Sequence, residues 1–146
     1  MQPRILAPMA LCLLLAVFGL HHVMAEDVAL QAPVIEGEWA GIWGAYIPEL
    51  GKALDEKRCL PMSCTVVKEG DAWTATFKGD AGGAYQYTIK MPGRQVGDTV
   101  LFSGTVDLGE RSGGVYDWIG RAQGEVFVGF YTSARHTGVF RLTRES

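Results

Sequence analysis

The chain predicts an all-β domain: an antiparallel up-and-down meander of about eight strands, closing into a barrel. Three observations carry this. Several runs alternate apolar and polar residues with a period of two, and glycine-rich turns separate the runs at short intervals. Two copies of Gly-x-Trp (Gly37-Glu38-Trp39 and Gly41-Ile42-Trp43) open the first run, while Arg144 ends the last. A period of two is what a half-buried strand needs, and closure removes the exposed edges that invite aggregation.

The elements follow in chain order. Met1 to Arg4 is a short basic start, Ile5 to Leu20 is apolar apart from Pro8 and Gly19, and Met24-Ala25 offers an Ala-type cleavage site before Glu26. This pattern predicts a secretory signal peptide over residues 1–25, the apolar part being short for a stable membrane span. An uncleaved anchor is the alternative. The expected product is secreted or periplasmic, with no stable membrane insertion after cleavage, and residues 26–146 form a single domain. Val28 to Pro33 reads as a loose lead-in.

Strands are predicted at roughly 37–44, 63–69, 72–78, 84–91, 99–107, 115–122, 125–132 and 137–144. In Ala72–Lys78 the apolar face is Trp73, Ala75 and Phe77; in Ala84–Lys90 it is Tyr85, Tyr87 and Ile89. Turns are read at Glu69-Gly70-Asp71, Gly79 to Gly83, Pro92-Gly93-Arg94 with Gly97-Asp98, Gly109 to Gly114, Gln123-Gly124-Glu125 and Ser133 to Gly138. The connection over residues 45–62 is longer. Pro48 could open a turn or two of helix there, forming either a lid or a surface excursion.

Within that connection lies Cys59-Leu60-Pro61-Met62-Ser63-Cys64. With Cys12 removed in the leader, an exported even pair most simply forms a disulfide, Cys59–Cys64. Redox exchange favours two-residue spacing, and zinc needs ligands that His136, the one histidine outside the leader, does not supply. No metal site or cofactor is expected.

Setting Arg4 aside with the leader leaves 12 basic residues against 16 acidic ones, a net charge near minus four. Dispersed acidic charge provides no basic stripe for a phosphate backbone, so nucleic acid is not an expected partner. Catalysis is not expected either. Ser133 and His136 are neighbours in a turn, Glu36 and Glu38 share a face with no visible opposing group, and no hydrolase, zinc-protease or phosphate-loop motif occurs.

The Gly-x-Trp start, the long first connection, the glycine-punctuated meander and the final Thr-Arg resemble the calycin superfamily, which includes lipocalins and avidins. The resemblance implies that Trp39 (or Trp43) packs at the closed end and that Arg144 (or Arg141) covers its indole. Two features depart from those families. Only Glu145 and Ser146 follow Arg144 where lipocalins continue into a helix, and the chain has no Asn, a residue common among avidin ligand contacts.

Candidate inward or rim aromatics are Trp43, Tyr46, Trp73, Phe77, Tyr85, Tyr87, Phe102, Tyr116, Trp118, Phe130 and Tyr131. Of these, Trp43, Tyr46, Trp73, Tyr85, Tyr87, Tyr116 and Trp118 are the candidate contacts for a small apolar or aromatic ligand, since polar-tipped rings combine apolar area with a hydrogen-bonding handle. The same rings could instead fill a narrow barrel. Asp117 and Arg121 fall on the opposite face from Tyr116 and Trp118 and read as a solvated pair. Two functional readings follow: an exported non-enzymatic carrier, or a structural or protein-interaction module of the cell envelope with a filled barrel.

Overall fold

A computed structural model describes residues 33–45, 59–80 and 86–146. Eight strands run in chain order: β1 (Gly37–Ala45), β2 (Leu60–Glu69), β3 (Ala72–Asp80), β4 (Gln86–Val96), β5 (Thr99–Asp107), β6 (Val115–Gln123), β7 (Val126–Ser133) and β8 (Thr137–Arg144). Each pairs antiparallel with its predecessor, and β8 returns to β1 from Trp39↔Arg144 to Ala45↔Gly138, closing the barrel. The expected leader, the Val28–Ala32 part of the lead-in, the helix near Pro48 and the rings of Tyr46 and Tyr85 lie outside the described residues.

Three hairpins use two-residue loops, Gly70-Asp71, Gly97-Asp98 and Gly124-Glu125, each with glycine first at φ between 58° and 64°. That left-handed torsion lets a tight turn follow the twist of its strands. The β5–β6 connection is longer, with a 3-10 turn over Glu110–Ser112. The β4–β5 ladder is short, spanning Val96↔Thr99 to Gly93↔Phe102, and stops beside Pro92, which has no N–H to donate.

Alternation sends one residue in two inward. Ile35, Trp39, Phe77, Phe102, Phe127, Phe140 and Leu142 are fully buried. Trp39 fills one end: its Nε1 donates to the Ile35 carbonyl at 3.1 Å, and its indole meets Phe127 edge-on at 5.7 Å. Arg144 stands opposite Trp39 in the ladder, and its Nη1 donates to the Val34 carbonyl at 2.8 Å, tying the lead-in across this end. Arg141 faces solvent.

Several inward positions are glycine, and the register explains them. Gly79 lies opposite Tyr87, Gly93 opposite Phe102, Gly129 opposite Phe140 and Gly138 opposite Tyr131. At each, a Cβ would overlap the partner's ring; at Gly129 it would also meet the Ile119 carbonyl at 2.5 Å. The rings lie flat over bare backbone, which lets large side chains share a narrow interior.

Four expectations need correction. No disulfide joins Cys59 and Cys64. The segment read as a cysteine loop is the start of β2, where Met62, Cys64 and Val66 point inward. Five residues of extended chain separate the two Cα atoms by about 16 Å, far beyond disulfide reach. Pro92-Gly93 is not a turn but part of β4, whose hairpin comes at Gly97-Asp98. Gly79 likewise belongs to β3. Phe130 points outward, 39% exposed, whereas its neighbours on the inward parity of β7 are Phe127 and Tyr131.

Two predictions follow. Gly129→Ala should lower stability by about 2 kcal/mol through overpacking, while Gly104→Ala, whose added Cβ finds its nearest neighbour at 3.4 Å, should change it by no more than about 0.5 kcal/mol. Urea denaturation measures both, and equal costs would refute the ring-over-glycine account. Burial, and then the negative charge of Glu38, push the Cys64 thiol well above its ordinary range, so it stays protonated at mildly alkaline pH. Iodoacetamide should therefore label Cys64 in urea but not in the native protein; rapid native labelling would contradict its inward placement.

Candidate functional site

The interior rings sort by chemistry along the barrel axis. Phe77, Phe102, Phe127 and Phe140 form the middle, in mutual contact at centroid distances of 5.1–5.8 Å. Every described inward tyrosine lies beyond them, at the end opposite Trp39. There Trp43 meets Tyr87 at 5.6 Å and Tyr131 at 5.8 Å, Trp118 stacks on Tyr131 at 4.8 Å, and Tyr116 touches both Trp118 and Tyr131. Tyr87 and Trp118 complete the ring of contacts at 6.4 Å. Five strands supply this cluster: β1, β4, β6, β7 and, through Gly138, β8.

Its polar tips differ in their partners. Tyr116 donates to the Ser112 carbonyl at 2.8 Å, anchoring the β5–β6 turn. Trp43 Nε1, Trp118 Nε1 and Tyr87 Oη are buried and meet no hydrogen-bond partner among the described residues. Indole nitrogen can only donate, so two of these three groups require an acceptor. Native interiors satisfy nearly all buried polar atoms, and clustered exceptions call for an explanation in a bound molecule or a role. Trp118 is 2% exposed, while Trp43 and Tyr87 are only partly buried.

The rings of this end are buried or half-buried without charged side chains among them at described positions. No described charged side chain is buried. Burial, and then the neighbouring Tyr131 and Tyr116, hold the Tyr87 phenol well above its usual range; burial, then Tyr116 and Cys59, do the same to Tyr131. The surroundings therefore penalise negative charge.

Four of the seven candidate contacts come together here: Trp43, Tyr87, Tyr116 and Trp118. Trp73 does not. It sits toward the opposite end, with the Lys68 ammonium 5.2 Å from its ring, and its Nε1 is also unpartnered. Tyr46 and Tyr85 lie outside the described residues. Tyr131, recognised as an inward candidate but not among those seven, belongs to the cluster.

No family model matches the chain. No curated protein matches it either. Among solved structures, the chain is similar to the crystal structure of a mutant of the fluorescent protein UnaG, at 14% identity and a TM-score of 0.43, over 77% of this chain and 96% of that one. At that level the likeness adds nothing to what the closed ladder already shows.

The remaining candidates are surface features. Asp117 accepts from Thr105 Oγ1 at 2.6 Å and Arg121 donates to Gln123, so each is held by a different neighbour. Glu36 accepts from the Lys68 amide and Glu38 from Thr65, both as cross-strand ties. Ser133 Oγ accepts from the His136 and Arg135 amides, which makes it a turn-forming hydroxyl, and His136 is exposed.

Among the described residues, hollows lie on the outer wall. One of about 490 Å³ is lined mostly by outward residues of β1–β4 such as Ala40, Pro61, Ser63, Lys78 and Thr88; another, about 380 Å³, lies over Pro92, Arg94, Leu101 and Ile119. Inside, aromatic rings occupy the axis.

Tyr87→Phe tests the reading of these tips. Removing a buried, unpartnered hydroxyl should raise stability by about 1 kcal/mol, measured by urea denaturation of the protein without added compound. A loss of that size would show that the hydroxyl is already satisfied.

Proposed function

We propose that this protein is an exported, non-enzymatic barrel that binds a small, partly apolar molecule at its tyrosine- and tryptophan-rich end. The observation that carries the reading is the grouping of three unpartnered buried donors on rings in mutual contact, at a mouth where two of those rings remain partly exposed. The N-terminal basic-then-apolar pattern supports export, and the early tryptophan at a closed end supports a calycin-like relationship. An apolar guest would cover the exposed parts of Trp43 and Tyr87, while the donors fix its orientation.

A second reading has its own observation. Ile119, Phe130 and Val139 stand directly opposite one another across β6, β7 and β8 on the outer wall, with Ile119 61% and Phe130 39% exposed. Such a row fits an envelope protein-interaction module with a filled barrel.

Thermal shift separates the two. The full chain, expressed with export, is screened against lipids, fatty acids, biotin, tetrapyrroles and uncharged aromatic ketones. A ligand at 100 times its Kd adds about 2.7 kcal/mol, which moves the Tm of a domain this size by roughly 10 °C. At least one compound should produce such a shift together with quenching of tryptophan emission. If the whole panel leaves Tm within about 1 °C, the interaction module replaces the carrier.

A further inference from the structure

The outer wall interleaves apolar area with positive charge. On β6, β7 and β8 the outward residues form two rows across the strands: Ile119, Phe130 and Val139, then Arg121, Val128 and Arg141. Leu101 of β5 extends the second row opposite Arg121, and Arg94 of β4 stands opposite Leu101. Leu101, Ile119, Val128 and Phe130 are exposed, and so are all three arginines. The 380 Å³ hollow lies at the edge of this face.

Such a face is unexpected on an acidic chain, with 16 acidic residues against 13 basic ones. Outward positions on the strands from β5 to β8 carry two carboxylates, Asp107 and Asp117, which accept from the Gly109 amide and the Thr105 hydroxyl. Asp98, in the β4–β5 turn, accepts from Gln123, whose amide oxygen takes a bond from Arg121. Among the described residues no carboxylate pairs with Arg94 or Arg141.

The residue types decide what covers this face. A second copy across a twofold axis would set arginine against arginine, which costs energy. Membrane surfaces draw lysine and arginine alike and are anchored by Trp and Tyr. This wall exposes neither of those aromatics, and the outward lysines Lys78 and Lys90 stand on β3 and β4 instead. Protein interfaces favour arginine and phenylalanine over lysine, and a guanidinium fork matches a carboxylate.

We infer that the outer wall of β5–β8 docks a protein segment presenting carboxylates beside apolar side chains. Arg121 and Arg141 take the carboxylates, while Ile119, Val128 and Phe130 take the apolar groups. This deepens the interaction reading of the wall, on which it rests, and is independent of what the interior holds.

Arg121 and Arg141 lie two strands, about 10 Å, apart. A helical probe peptide matches that span with glutamates seven residues apart, about 10.5 Å along its axis, and leucines between them on the same face. Its glutamine and lysine counterparts, and phosphatidylglycerol vesicles, complete the set. Each is titrated into the isotope-labelled full chain, expressed with export, while backbone amide resonances are followed. The glutamate peptide should move the amides of Leu101, Ile119, Val128 and Phe130. It should bind at least about tenfold tighter than the glutamine peptide at low salt, an advantage that shrinks as salt rises. Arg141→Gln should remove most of that advantage, and Ile119→Ser should weaken both peptides alike. Equal binding of the glutamine or lysine peptide at this face would show that charge is not read, which overturns the inference and leaves the interaction reading standing. Vesicles that move these amides where the peptides do not would make the wall a membrane contact and also overturn it. No movement at this face with any probe, with the domain folded, removes both.

Discussion

The structure depends on one steric solution: flat rings lying over glycines across the strand ladder. An eight-strand barrel has an interior just wide enough for its own side chains. This one must hold three tryptophans, four phenylalanines and three tyrosines that point inward at described positions, together with the partly buried Trp43. Without bare backbone opposite Tyr87, Phe102, Phe140 and Tyr131, those rings would force the wall outward and break the register that closes β8 onto β1. The device sets the local geometry as well, because a ring pinned over glycine has few rotamers left. The polar tips of Tyr87 and Tyr131 are thus aimed by the backbone opposite them.

The second organising feature is the gradient of chemistry along the axis. At the Trp39 end, the Trp39 indole N–H is satisfied by Ile35 and the lead-in is tied down by Arg144, while at this end Trp73 Nε1 alone lacks a partner among the described residues. The phenylalanine middle contains no polar atom to satisfy. At the far end, donors appear without acceptors. Each buried unpartnered donor costs about 1–3 kcal/mol, a large part of the 5–15 kcal/mol by which a domain is typically stable. A barrel that needed only to be full could have used phenylalanine at those positions, as it does in its middle. The gathering of three such donors on touching rings, against the single Trp73 Nε1 elsewhere, is the physical reason to read the far end as a site, and proteins commonly hold such destabilising groups where they bind.

Much of the fold was legible because strand alternation is a local signal. The faces Trp73-Ala75-Phe77 and Tyr116/Trp118 against Asp117 were readable residue by residue. What failed has identifiable causes. The run Val126-Phe127-Val128-Gly129-Phe130-Tyr131 is apolar on both faces, so parity could not be assigned, and Phe130 was placed inside. The same two-faced run hides the inward Phe127. Cys59 and Cys64 invited a disulfide because proline and close spacing suggest a loop, yet an outward-facing Pro61 is tolerated within β2. Inward glycines such as Gly79 and Gly93 looked like turns, since their purpose emerges only from the residue across the ladder. The site was half legible: polar-tipped aromatics could be listed, but only register showed which of them meet.

Electron density for the protein purified from its own host tests the central claim most directly, because it reports what meets the three donors. The account predicts non-protein density against the partly exposed faces of Trp43 and Tyr87. Donors satisfied entirely by groups from residues 46–58 or 81–85, with no foreign density at the mouth, would contradict it.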